Sequence, residues 1–220
     1  MEDEVTHGDG PHPQALTVTN SDGKNLYQIC VSGAAKGPSV TAGKDLAREA
    51  GKAIAQRGHH LLTGATTGLP NFAAEGAKAE KGMSIGLSPA QNSYSHVRNY
   101  GLPTEMYDLI FYTGMDFIGR DVLLIQSSDA VISIGGRIGT MHEFAVAMEL
   151  GKTVGILEGA GGTSEIFDES RYFTGPGYPP VVRGTEPQEI VEHIIEILDK
   201  QQEELQVMRE ARLKLEKKIP

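Results

Sequence analysis

Cysteine is almost absent from this 220-residue chain: Cys30 stands alone, so no disulfide can form within it. Cys30 falls in an apolar stretch and reads as a small buried hydrophobe, and one unpaired thiol fits a reducing cytoplasm. Positive charge is also scarce. Twenty Lys and Arg face 29 Asp and Glu, for a formal net charge of -9. That balance argues against a broad nucleic-acid surface, but not against a small anion held by local geometry. No apolar run is long enough to span a bilayer, and the start, MEDEVTHGDG, is acidic with no apolar stretch. The expectation is a cytoplasmic protein with neither membrane nor nucleic acid as partner. No internal repeat is present. The dinucleotide signature GxGxxG is missing from the first glycine turn, which disfavours hydride transfer.

Glycine, by contrast, is abundant at 27 residues, well above the usual share of about 7%. These glycines cluster after apolar runs. Strands are expected at Leu26–Val31, His60–Thr63, Met83–Leu87, Leu109–Tyr112, Ala130–Ile134 and Thr153–Leu157, with an edge strand at Pro179–Val182. Helices are expected at Val40–Gln56, Pro70–Lys81, Met115–Gln126, Met141–Leu150 and Pro187–Leu198. Ser88–Glu105 is the longest irregular connection, either a functional loop or a plain surface one. Strands alternating with helices imply α/β: a Rossmann-like, doubly wound, mostly parallel sheet with helices on both faces. Residues 1–23 read as a loose arm in which His7 and His12 are solvated. Residues 24–200 form the expected nucleotide-binding domain. Residues 201–220 form a charged helical extension, either projecting toward a partner or solvated.

The chain is organised around Ala130–Gly151. A buried strand runs into Gly135-Gly136, then Gly139-Thr140, then a helix. Such a turn lets backbone approach a ligand, and the helix N-terminus offers free N–H groups and a positive dipole end to an anion, most plausibly a phosphate. Glycine turns that follow strands gather at the carboxyl edge of a parallel sheet, where such sheets bind ligands. Thr140-Met141-His142-Glu143 also fits a capping box, in which Thr140 caps the helix and Glu143 turns back to the backbone. Arg120 is either a functional cation or a surface residue paired with Asp116 one turn away. His142 reads as a helix-surface residue.

IGGRIGTMHE at 134–143 resembles the PGG-x-GT-x-x-E motif of the LONELY GUY family, nucleotide phosphoribohydrolases often mislabelled lysine decarboxylases. Arg120 on the preceding helix, Ser128-Asp129-Ala130, the first turn Cys30–Gly33 and the second turn Thr63–Leu69 extend the resemblance over roughly 26–198. Ile134 stands where the motif has proline, Arg137 takes the variable place, and the second turn lacks a triple glycine. These departures resemble a neighbouring branch that includes molybdenum-cofactor carrier proteins. The resemblance implies hydrolysis of the N-glycosidic bond of a nucleoside 5′-monophosphate to free base and ribose 5-phosphate. The alternative it implies is a non-catalytic carrier or sensor of a phosphorylated ligand. Glu143 would stabilise an oxocarbenium-like transition state and activate water, and Arg120 would hold phosphate or developing charge. Gly135, Gly136, Gly139 and Thr140 would cradle the phosphate, with Ser32, Gly33 and Gly64 on the neighbouring wall and Arg137 a further candidate clamp. No cofactor and no metal is required. The expected partner is a small, nucleotide-like phosphorylated ligand, and family likeness implies a homodimer or higher homo-oligomer.

Overall fold

A computed structural model describes residues 18–166 and 178–216. Its centre is a seven-stranded, wholly parallel sheet. The elements run β1 (Gln28–Gly33), α1 (Pro38–Gln56), β2 (His60–Thr63), α2 (Leu69–Ala79), β3 (Ser84–Ser88), α3 (Ser93–Arg98), β4 (Leu109–Tyr112) and α4 (Asp116–Gln126). They continue with β5 (Ala130–Ile134), α5 (Ile138–Glu149), β6 (Thr153–Leu157), α6 (Thr163–Ile166), β7 (Val181–Gly184) and α7 (Pro187–Glu216).

Strand order is β4-β3-β2-β1-β5-β6-β7. The chain therefore winds outward from β1 in one direction, returns through α4, and winds outward from β5 in the other. Right-handed crossovers then force helices of the two halves onto opposite faces. Side-chain alternation along the strands follows from this. Ile29 and Val31 of β1, with Ala130, Ile132 and Ile134 of β5, pack into the core shared with α1, α2 and α7. Cys30 and Val131 point the other way, to Leu124 and Ile125 of α4 and Phe144 and Met148 of α5.

Four strands fall where the sequence places them: β2, β4, β5 and β6. Three shift by one or two residues, and the edge strand is Val181–Gly184 rather than 179–182. The 88–105 connection is not irregular throughout. Asn92 caps the short helix α3 by accepting from the Ser95 N–H at 2.9 Å. The buried His96 then staples the loop, reaching Ser88 Oγ at 2.8 Å and the Pro103 carbonyl at 2.9 Å. The terminal helix is continuous from Pro187 to Glu216, so the charged segment extends the core helix without a break. Its inner part is tied down by Asp199, which accepts from the Tyr27 hydroxyl at 2.6 Å. At the other end, Asn20 accepts from the N–H groups of Asp22 and Lys24, closing a tight turn over residues 20–24. Most of the expected N-terminal arm, with His7 and His12, lies outside the described residues. Among those described, no helix is long and apolar enough to cross a membrane.

Candidate functional site

Between β1 and β5 the chain reverses its winding direction, and loops diverge there at the carboxyl ends of the strands. A cavity of about 500 Å³ opens at this point. Ser32 and Gly33 line it from β1, Lys36 from the following loop, and Gly64 and Thr66 from the turn after β2. Phe117, Arg120 and Asp121 enter from α4, and Arg137, Gly139, Thr140 and Glu143 from the start of α5. Eight of the ten residues singled out in the sequence thus meet on one wall. Gly135 and Gly136 lie behind it.

Arg120 is 3% exposed, and its Nε and Nη1 have no hydrogen-bond partner. Its Nη2 reaches Asp121 Oδ1 at 3.4 Å, a weak contact for an ion pair. A buried guanidinium with two idle nitrogens is costly unless something anionic completes it. The absence of a side chain at Gly64 makes room for this group: a methyl built there would overlap the guanidinium. Phe117 covers it from the open side, its ring centroid 6.0 Å from the guanidinium carbon. The surface pairing with Asp116 does not form. Asp116 accepts instead from the Tyr100 hydroxyl.

Glu143 is buried and accepts a short hydrogen bond from Ser32 Oγ. The reason is strand alternation: Ser32 shares the face of β1 that α5 covers. Burial raises the Glu143 carboxyl from the ordinary range to about 7, reinforced by the neighbouring Asp121 charge and opposed by Arg120 and the Ser32 hydroxyl. The capping-box alternative fails on geometry. The helix starts earlier, at Ile138, with Arg137 as its N-cap and no side-chain cap bond. Glu143 therefore lies inside the helix and reaches across to β1. Met141 is the first residue whose N–H has a helical acceptor, the Arg137 carbonyl at 3.0 Å, so the first-turn N–H groups of Ile138, Gly139 and Thr140 have no intrahelical partner.

The glycine pair has a different use from the cradle expected of it. Gly135 and Gly136 both have left-handed φ, 56° and 92°. The Gly135 N–H is already committed to Ser164 Oγ at 2.8 Å, and its carbonyl accepts from Thr163 Oγ1 at 3.0 Å. The Gly136 carbonyl accepts from the Thr163 N–H at 3.1 Å. The pair thus bolts the turn to the β6–α6 loop and aims α5. Two residues, Arg137 and Ile138, separate Gly136 from Gly139, one more than the PGG-x-GT motif has. Asp121 escaped the sequence reading, as did Lys36, Thr66 and Phe117. Asp121 is 5% exposed and also meets His142, whose Nδ1 lies 3.2 Å from its Oδ2. Adjacency to Arg120 was the available signal. Cys30 lies close by on the same face of β1, and burial pushes its thiol well above the usual range. Among the described residues, no group of three or more His, Cys, Asp or Glu is placed to hold a metal ion.

The sequence profile of the SLOG cluster4 family matches residues 26–191. A protein from Archaeoglobus fulgidus, described only as uncharacterized, is 35% identical over 133 residues, 60% of this chain and 81% of that one. The molybdenum cofactor binding protein from the phototrophic bacterium Rippkaea orientalis is similar in structure, with 28% identity, a TM-score of 0.63, and coverage of 79% of this chain and 98% of the other. The Moco carrier protein from Chlamydomonas reinhardtii gives 26% identity, a TM-score of 0.65, and coverage of 80% and 99%. DNA processing protein A from Helicobacter pylori, at 18% identity and a TM-score of 0.56 over 77% of this chain and 80% of the other, is alike in fold alone.

Proposed function

The chain belongs to the SLOG cluster4 family, within the LOG-related SLOG superfamily, and from that premise we propose that it binds and holds a phosphorylated heterocyclic ligand, nucleotide- or pterin-like, in the cavity between β1 and β5. One observation carries this reading: the Arg120 guanidinium, buried in the cavity wall with two nitrogens unpartnered. A phosphate is the anion best matched to a fork of donors. The free N–H groups of Ile138, Gly139 and Thr140, with Lys36 and Arg137 at the rim, add positive potential on the α5 side. A cavity of about 500 Å³ lies within the usual range for small-molecule sites, about 300–1,000 Å³. Likeness to a Moco carrier and a molybdenum cofactor binding protein supports carriage, with the pterin's phosphate as the end that Arg120 grips.

Extraction of the purified full-length protein, followed by mass spectrometry, tests this reading. It predicts a stoichiometric phosphorylated pterin or nucleotide, or binding of one when it is added. Failure to bind either class contradicts it.

Glu143 favours a second reading, hydrolysis of a nucleoside 5′-monophosphate. A buried carboxyl beside a guanidinium in a ligand cavity is suited to glycosidic bond cleavage, where positive charge develops on the ribose. Chromatography of AMP incubated with the protein separates the two. Base release that is lost in Glu143→Gln establishes hydrolysis, and intact, bound AMP establishes carriage.

The proposal includes a homodimer. Ile118 and Val122 of α4, with Leu109 and Phe111 of the edge strand β4, are large apolar side chains left exposed, and Phe117 of the same helix lines the cavity. Sedimentation gives the mass directly: twice the chain mass is expected, and Ile118→Asp should return it to one.

A further inference from the structure

Asp121 lies among three partners. Arg120 Nη2 is 3.4 Å from its Oδ1, and His142 Nδ1 is 3.2 Å from its Oδ2. The third is the Glu143 carboxyl, with which it shares a hydrogen bond. Two carboxyl groups can hydrogen-bond each other only if one of them carries a proton. The surroundings decide which one. A carboxylate only accepts, and Asp121 faces two donor groups already, a guanidinium and an imidazole N–H. Glu143 faces one neutral donor, the Ser32 hydroxyl, and is otherwise walled by apolar surface and Cys30. The negative charge is therefore better placed on Asp121 and the proton on Glu143.

We propose that Asp121 and Glu143 form a proton-sharing pair in which Glu143 is the O–H donor presented to the cavity, with Asp121 and His142 as the residues that position its proton. The proposal rests on the reading of this cavity as the ligand site, and it sharpens the class of ligand. The phosphate end meets Arg120. The group that faces Glu143 is a hydrogen-bond acceptor, such as a ring nitrogen or carbonyl of the heterocycle, rather than a donor or a cation. In a hydrolytic cycle the same arrangement makes Glu143 the acid that protonates the departing base. The bond from base to ribose C1′ breaks with its electron pair on the base nitrogen, the Glu143 proton goes to the base, and water supplies the oxygen added at C1′.

All groups that face Glu143 enter this account: Ser32 and Cys30 from β1, Arg120 and Asp121 from α4, His142 on its own helix, and Lys36 and Arg137 at the cavity rim. The test uses ligand-free, full-length protein labelled with ¹³C at the glutamate carboxyl carbons, followed by NMR across pH. Glu143 is identified as the resonance missing from Glu143→Gln. It is expected to titrate well above the exposed glutamates. Asp121→Asn removes the neighbouring negative charge at nearly constant shape and should lower the midpoint by roughly one pH unit or more. His142→Phe removes a donor that favours the Asp121 anion and should raise it. The His142 side chain is about one-third exposed, so this second variant stands even where Asp121→Asn fails to fold. A Glu143 that titrates with the surface glutamates, or midpoints unmoved by both substitutions, overturns the proposal. Since no ligand is present, failure of the ligand reading appears separately, as absence of AMP and pterin phosphate binding in calorimetry.

Discussion

The two faces of the sheet are each covered by helices, yet they are filled with different chemistry. Under α1, α2 and α7 the interior is alanine, isoleucine, leucine and valine almost throughout, and Gly51 and Gly76 let the backbones of α1 and α2 come together. Under α4 and α5 the apolar cluster is smaller, and beside it Arg120, Asp121 and Glu143 are buried with Ser32. Close approach through a missing side chain occurs on both sides. At Gly51 it brings carbonyl against helix, which is packing. At Gly64 it brings backbone against a guanidinium left partly unsatisfied. The lesson is that the fold is stabilised chiefly on one face, and the chemistry is concentrated on the other, where buried polar groups cost stability.

The largest effect expected from this contrast lies on the apolar face. Ile54→Ala, at a fully buried position under α1, should destabilise the protein by about 2–5 kcal/mol in urea unfolding, while the folded fraction binds ligand as before. A loss of affinity at unchanged stability would erase the division between the faces. Next comes Arg120→Ala. Loss of charge-assisted bonds worth about 1.5–3 kcal/mol each should weaken a phosphorylated ligand at least tenfold in calorimetry, with a smaller change in stability. Gly64→Ala, which forces the guanidinium out of its place, should follow in the same direction.

Glu143 sharpens the comparison through pH. Its folded value, about 7, is raised above the ordinary 4.5, so between those values the native state holds a proton that the unfolded chain has released. This contribution to stability is complete below about 4.5 and is lost as pH rises through about 7, with a span on the order of 1–3 kcal/mol. Glu143→Gln should flatten that slope in urea melts at pH 5 and 8, and an unchanged slope would show the carboxyl to be ordinary. The smallest effect is expected from truncation after Lys200. Ile190, Val191, Ile194 and Leu198 carry the packing of α7, and the residues beyond are mostly exposed, so stability should change by less than about 1 kcal/mol.

Much of this architecture was legible in the chain. Short β-branched runs alternating with helical periods announced the parallel sheet, because strands buried on both faces lose the alternation of surface strands. The site was legible where it is local: the glycine turn, Arg120 and Glu143 sit in recognisable strand–turn–helix contexts. What escaped depends on pairs far apart in the chain. The reach of Glu143 to Ser32 follows from which side of β1 meets α5, which strand order sets and local pattern does not. The bond between Gly135 and Ser164 turned an expected phosphate contact into a structural anchor. Asp121 was hidden because a carboxylate beside an arginine on a helix reads as surface charge until burial is known. The 88–105 loop concealed a stapling histidine for the same reason.

The central claim, that this cavity takes a phosphorylated small ligand through Arg120, is tested most directly by isothermal calorimetry of AMP and of adenosine against the wild-type full-length protein and Arg120→Ala. The account predicts that AMP binds, that adenosine without its phosphate binds at least tenfold more weakly, and that Arg120→Ala reduces AMP to the adenosine level. Equal binding of AMP and adenosine, or AMP binding untouched by Arg120→Ala, would contradict it.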